Sequence, residues 1–168
     1  MKDVQQQYPD TCAIKVQQLI LESRGFDITE TELRDEAIEN GWYTPDYGTP
    51  LKYVGNLLEG YGLEVHRSYH SSIGDIASEL SQGHSLVLAV DSGELWHDGP
   101  RETFEDIIMG ENADHAVLVN GIMTDPFTAE LNVLLTDPGT GDVCVEYPLE
   151  QFEDAWADSG EFLISCLI

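Results

Sequence analysis

The spacing of apolar residues changes once along this chain, near Gly62, and that change limits the folds open to it. Upstream, apolar side chains recur every three or four residues, the period of a helix with one buried face. Ala13, Val16, Leu19 and Ile20 mark a first helix that Gly25 ends. Thr29-Glu30-Thr31-Glu32 is a capping-box pattern opening a second, through Leu33, Ala37 and Ile38 to Gly41. Gly41 to Pro50 is an aromatic loop. Thr49 and Pro50 then predict a third helix carrying Leu51, Val54, Leu57, Leu58 and Tyr61, closed by Gly60 and Gly62.

Downstream, strands dominate. Leu63 to Arg67 alternates like a half-buried strand, and Ser71 or Ser72 starts a short helix through Leu80 that Gly83 ends. Ser85 to Asp91 is a continuous apolar run, the mark of a central strand. Gly93 to Asn112 is polar and turn-rich, with Trp96 and Phe104 as anchors, and is a candidate gate. Three further strands are expected at Ala116 to Met123, Leu131 to Thr136 and Val143 to Tyr147. A short amphipathic helix from Leu149 to Trp156 and a strand from Phe162 to Leu167 follow. Helices first and sheet second predict an α+β fold, one domain over 1–168 with a helical half (1–62) and a sheet half (63–168).

Chemistry enters at the start of the first helix. Asp10 and Thr11 are N-cap residue types, which places Cys12 in the first turn. Free N–H groups and the positive end of the helix dipole favour a thiolate there. The chain as a whole works against that anion: 32 Asp and Glu face seven Lys and Arg, a formal net charge of −25. A reactive Cys12 therefore needs strong local help. The same charge excludes a nucleic-acid partner, because phosphate contacts need cations. It fits a solvated surface, a salty environment or attraction of a cationic partner. The other two cysteines, Cys144 and Cys166, sit in apolar strand-like runs and are expected to be inert core thiols. Three cysteines without CxxC spacing argue against a disulfide framework or a zinc knuckle, and no cofactor or metal is expected. No signal-peptide core and no membrane-length apolar run are visible, which predicts a soluble cytoplasmic chain with no membrane partner.

A nucleophilic thiol needs a base and a group that orients the base. Of five histidines, His66, His70 and His84 fall at surface-type positions and His97 in the polar loop. His115 heads the apolar strand Ala116-Val117-Leu118-Val119, where a polar ring can point into a cleft. A hairpin centred on Pro126 places His115 directly opposite Asp137, within cross-strand reach. Asp137 ends its strand before the Pro138-Gly139 turn, and Asp125 falls at the far end of the hairpin. The Cys12 backbone N–H supplies one oxyanion donor, and the amide of Gln5, Gln6 or Gln7 is open as a second.

The ordered set, Gln6 upstream of Cys12 at a helix start, His115 opening His-Ala-Val-Leu-Val, then Asp137-Pro138 after an apolar strand, resembles papain-like cysteine peptidases. Within that clan it is most similar to the bacterial double-glycine leader peptidases, which process bacteriocin precursors, and to their stand-alone relatives. The resemblance runs from Gln6 to the last strand. It implies a papain-like fold, a helical half packed on a twisted antiparallel sheet, and a thiol hydrolase acting on a peptide. It also implies roles: Cys12 nucleophile, His115 base, Asp137 orienter, Gln6 oxyanion donor. Thr11 departs from the pattern, since the transporter-linked members place an Asp next to the Cys. The 168 residues contain no membrane or ATPase region, so an exporter role is not implied.

Other readings use the same residues. An amidase or acyltransferase works with the same constellation on a non-peptide substrate. A catalytically silent papain-like module binds a cationic partner through its acidic surface. A metal hydrolase uses Cys12, His115 and a carboxylate, although no paired ligand spacing supports it.

Overall fold

The structure, a computed structural model, describes residues 3–96 and 114–168. His97, Phe104 and most of the expected gate loop lie outside the described residues.

The N-terminal arm leads into α1 (Cys12–Ser23) and then α2 (Glu30–Glu39). The capping box of α2 is complete: the Thr29 hydroxyl accepts from the Glu32 N–H, and the Glu32 carboxylate accepts from the Thr29 N–H. The single third helix expected from Thr49 is instead two pieces. A 3-10 turn (Leu51–Tyr53) is followed by α3 (Asn56–Gly60). Gly55 breaks them apart with φ +97, and its N–H donates to Gln17 Oε1 at 3.0 Å. A side chain at Gly55 would meet the Arg67 guanidinium at 2.9 Å, so both conformation and space favour glycine. Thr49 does not cap: its buried hydroxyl has no hydrogen-bond partner among the described residues.

Beyond Gly62 come β1 (Val65–Ser68), α4 (Ile73–Ser81), β2 (Ser85–Val90) and α5 (Ser92–Trp96). After the undescribed segment follow β3 (His115–Thr124), β4 (Leu131–Asp137), β5 (Asp142–Pro148), α6 (Leu149–Ala157) and β6 (Leu163–Cys166). The six strands form one antiparallel sheet in the order β1-β6-β2-β3-β4-β5.

Both faces of the central strands are buried, which explains the unbroken apolar run of β2. Val87 and Ala89 of β2, Ala116 of β3 and Ile164 of β6 face α1, α2 and α3 through Val16, Ile20, Leu33 and Leu58. The alternate residues Leu86, Leu88, Val90, Val117 and Val119 pack on the other side against Ile76 of α4, Leu95 of α5 and Phe152 and Trp156 of α6. The α+β reading holds, with helices on both faces of the sheet. Edge strand β5 is largely exposed on both sides. Cys144 there is solvent-exposed at φ 55, not the core thiol expected, whereas Cys166 is fully buried. Cys144 falls where the β4–β5 register shifts, between the Leu135–Val145 and Asp137–Asp142 pairs, and a bulge of that kind breaks the alternation that would have turned it inward. Among the described residues no helix is long and apolar enough to cross a membrane.

Candidate active site

Cys12 is the first residue of α1 and is buried, 5% exposed. Its two upstream neighbours were expected to cap the helix, and neither does. Thr11 holds the N-cap position without a side-chain capping bond. Its hydroxyl donates instead to Glu30 Oε1 at 2.5 Å. Asp10 turns outward, accepting from the Tyr43 hydroxyl and the Asp46 N–H at 2.7 Å each. A capping oxygen would compete for the first-turn N–H groups with any anion that develops beside Cys12; here that competitor is absent.

His115 opens β3 and Asp137 closes β4, at the same end of the sheet as the start of α1. His115 Nε2–H donates to Asp137 Oδ1 at 2.6 Å, with both side chains buried. The hairpin that joins them differs from the one expected. Its last pair is Thr124–Leu131, and the register shifts once between Val119 and Gly121. Continuing from the Leu118–Thr136 pair, Asp137 falls opposite Val117, two residues from His115 and on the same side of the strand. The pair is therefore diagonal, and the length of the imidazole spans the difference.

Three further contacts fix this acid–base pair. Trp96 Nε1–H donates to Asp137 Oδ2 at 2.8 Å, and the Trp96 ring meets the His115 ring edge-on, centroids 5.1 Å apart. The Gly139 N–H donates to Asp137 Oδ1 at 2.8 Å. A Cβ on Gly139 would lie 3.0 Å from His115 Cε1 and 3.1 Å from the Trp96 ring. Trp96 stood out in the sequence only as an anchor for its loop, and Gly139 only as a turn residue. Neither carries a sequence signal for its role here.

The electrostatics follow from this packing. Burial alone would lower the His115 pKa. The hydrogen bond with Asp137 and then the interaction with the Cys12 sulfur outweigh it and push the imidazole up to about 10. With Nε2 committed to Asp137, Nδ1 is the nitrogen left for the sulfur. Burial also opposes ionisation of Asp137, but His115, Trp96 and the Gly139 N–H hold it below the ordinary carboxylate value. Such a site can hold an imidazolium between an acid and a thiolate.

The glutamine arm separates into three environments. Gln5 is exposed, and its amide reaches the Gly139 carbonyl at 3.4 Å. Gln7 is exposed and its backbone N–H donates to the Glu30 carboxylate. Gln6 is half-buried, and its backbone N–H donates to the Pro138 carbonyl at 2.8 Å, next to Asp137. One Gln6 Nε2–H donates to the Tyr8 carbonyl at 2.7 Å, and that oxygen lies 3.1 Å from the Thr11 hydroxyl. The amide of Gln6 is thus within one hydrogen-bonded link of the residue preceding Cys12, and its second N–H is not committed to Tyr8.

The remaining candidates sit elsewhere. His66 and His70 are exposed beside Glu64 and Glu161. His84 pairs with Glu79 at 2.6 Å. Asp125 organises the β3–β4 turn by accepting from the N–H groups of Phe127 and Thr128. No group of three potential metal ligands occurs among the described residues.

Relatives with solved structures share this architecture. A protein described as a C39-like peptidase from Bacillus anthracis superposes with a TM-score of 0.70 at 16% identity, over 99% of this chain and 94% of the other. The peptidase domain of Streptococcus ComA, a bi-functional ABC transporter of a quorum-sensing pathway, gives 0.67 at 15% identity, over 99% and 98%. A double-glycine-motif protease from an AMS/PCAT transporter, in complex with its leader peptide, gives 0.61 at 12% identity, over 99% and 91%. Uncharacterised proteins of Mycobacterium bovis and Mycobacterium tuberculosis are 27% identical over 125 residues, 69% of this chain and 52% of theirs. The chain thus spans about half the length of these curated relatives. The model of the Peptidase_C39 like family matches residues 2–163, nearly the whole chain, and the protein belongs to that family.

Proposed function

We propose that this protein is a cysteine peptidase that cleaves through a covalent acyl-enzyme, with Cys12 as nucleophile, His115 as acid and base, and Asp137 as orienter. One observation carries the reading: a buried imidazole donates to a buried carboxylate at 2.6 Å and has the sulfur of Cys12 as its other partner. A thiol, an imidazole and a carboxylate in that series are the working parts of a thiol hydrolase.

The Cys12 thiolate attacks the substrate carbonyl carbon, and the C=O electron pair moves onto oxygen. That oxyanion accepts from the Cys12 backbone N–H and from Gln6 Nε2–H. As the oxyanion collapses, the C–N bond breaks and the His115 imidazolium gives its proton to the leaving nitrogen. A thioester on Cys12 remains. Water attacks it while His115 takes a proton, and collapse frees the carboxylic acid and restores the thiolate–imidazolium pair. Residues 1–168 act as one unit, since Cys12 comes from the helical half and His115 and Asp137 from the sheet half.

The substrate class is a peptide, in keeping with the leader peptide held by the double-glycine-motif relative. With 32 acidic against seven basic residues, the surface field favours cationic peptides. That preference should weaken as added salt shortens the screening length.

Alkylation and turnover test the reading together. Iodoacetamide at neutral pH should modify buried Cys12 ahead of exposed Cys144, as mapped by mass spectrometry. The Cys12→Ala variant should lose hydrolysis of unstructured cationic peptides. Alkylation at Cys144 alone, with no peptide hydrolysis by the parent, would leave the protein a silent peptide-binding module.

A further inference from the structure

The mechanism above leaves one fully buried carboxylate without a part, that of Glu30, 0% exposed at the first position of α2. In the sequence it reads as an ordinary acidic residue of a helix first turn. In the fold it turns inward and gathers three donors from the segment around Cys12. The Gln7 backbone N–H donates to both of its oxygens, at 3.0 and 3.1 Å. The Thr11 hydroxyl donates to Oε1 at 2.5 Å. The Lys15 ammonium, itself buried, lies 3.6 Å from Oε2.

The placement of these donors matters more than their number. Gln7 directly follows Gln6, and Thr11 directly precedes Cys12. Glu30 therefore closes the neck of the loop 7–11, and the two groups assigned to the oxyanion stand just outside that neck. On its other side the arm is held to the sheet by the bond from the Gln6 N–H to the Pro138 carbonyl. Lys15 ties the same carboxylate to the first turn of α1, which sets where the Cys12 N–H points.

We infer that Glu30 is a positioning residue for the oxyanion site: it fixes the spacing between Gln6 and the Cys12 N–H by clamping Gln7 to Thr11. The inference rests on the hydrolase reading and adds the residue that aligns its two oxyanion donors. Donors of this kind work only when aimed in advance at the developing charge, and removing one costs about 10²-fold or more in rate. The thiolate–imidazolium pair does not pass through Glu30. Loss of the clamp should therefore damage acyl transfer and spare simple attack by the sulfur.

The test compares two reactions of the same thiol in the full chain. Acylation by 4-nitrophenyl acetate passes through an oxyanion, whereas alkylation by iodoacetamide is a displacement at carbon that makes none. Glu30→Leu combined with Lys15→Met replaces the buried ion pair by apolar groups of similar volume, an exchange that folded proteins often tolerate. This variant should melt near the parent and alkylate Cys12 at the parental rate, while acylation falls about 10²-fold. Glu30→Gln with Lys15→Met keeps an acceptor for Gln7 and Thr11, and should bring acylation back to within a few-fold of the parent. Thr11→Val removes one tether without touching the ion pair. It should lower acylation about tenfold with alkylation intact, and it decides the matter if the Leu/Met variant does not fold. Acylation unchanged in Thr11→Val or in a folded Leu/Met variant overturns the clamp. Acylation and alkylation falling in step do so too. A parent chain with no Cys12-dependent acylation sinks the hydrolase reading, and the clamp with it; that result is distinct from a parent that acylates and variants that acylate equally well.

Discussion

Asp137 and Glu30 are both fully buried carboxylates, each opposite a buried basic side chain, and they stand on the two sides of the Cys12 neighbourhood. Asp137 meets an imidazole at 2.6 Å, Glu30 an ammonium at 3.6 Å. The rest of their partners differ in kind. Asp137 also takes an indole N–H and a turn N–H, groups that orient it toward His115. Glu30 takes donors from the chain that leads into Cys12. Burial of a carboxylate therefore does not mark chemistry by itself. What decides is what the partner reaches on its far side: the His115 ring meets Asp137 with one nitrogen and has the Cys12 sulfur as its other partner, whereas Lys15 only ties Glu30 to the first turn of α1.

The comparison breaks most sharply at the imidazole. His115→Ala removes the proton carrier and leaves Asp137 with Trp96 and Gly139. Turnover should fall about 10³-fold, the scale of general acid–base catalysis, measured as kcat/KM on a cationic peptide. Losing one member of a buried pair should also cost about 3 kcal/mol in denaturant unfolding, the low end of the usual range, because two donors still serve Asp137.

Asp137→Asn comes next, with a loss of about 10²-fold, and it sharpens the electrostatic side of the comparison. Without the carboxylate the His115 pKa should drop from about 10, read by NMR titration of the ring. The parent's stability should follow the pair. The folded pKa of His115 is raised above the ordinary 6.5, so its contribution is fully present below pH 6.5 and fades as pH climbs from there through about 10. Asp137 is shifted the other way: its contribution is present above the ordinary 3.8 and is lost as pH falls through its lowered folded value. Unfolding free energy in the parent should therefore decline between pH 6.5 and 10 more steeply than in Asp137→Asn. Parallel curves would mean that the pair is not coupled as described.

What the sequence made legible was local. The start of α1, the capping box at Thr29, the continuous run of β2 and the strand ends at His115 and Asp137 are all written in short-range spacing. Among the described histidines only His115 heads an apolar strand, as its spacing predicts. The register was not legible. An equal-armed hairpin on Pro126 predicts a direct pair, but the longer turn and the shift after Val119 make it diagonal; a bulge is set by tertiary packing and leaves no short-range signature. The break at Gly55 was missed because helical spacing continues through it, although Gly55 answers to Arg67 and Gln17. Asp10 and Thr11 were read as caps from residue type, yet better partners across the fold, Tyr43 and Glu30, take both side chains. The contacts of Trp96 with Asp137 and of Glu30 with Gln7 leave no sequence signal for the same reason: the partners lie 41 and 23 residues away in the chain.

The smaller effects separate support from chemistry. Gly139→Ala inserts a methyl 3.0 Å from His115 Cε1, 3.1 Å from the Trp96 ring and 3.2 Å from Asp137 Oδ1. The ring, the indole or the turn must yield by a few tenths of an ångström. A misaligned imidazole should cost about tenfold in kcat with KM unchanged, while overpacking costs about 1 kcal/mol in stability. Trp96→Phe keeps a ring against His115 and deletes only the donor to Asp137. A hydrogen bond to a charged group is worth about 1.5 kcal/mol at the low end. Only part of that reaches the rate, because His115 and the Gly139 N–H still hold Oδ1. The expected outcome is a loss of about threefold in kcat and a small rise in the Asp137 pKa, seen as an upward shift of the acid limb of the pH–rate profile. A Trp96→Phe variant as impaired as Asp137→Asn would mean that the indole, and not the carboxylate alone, sets the angle of the imidazole.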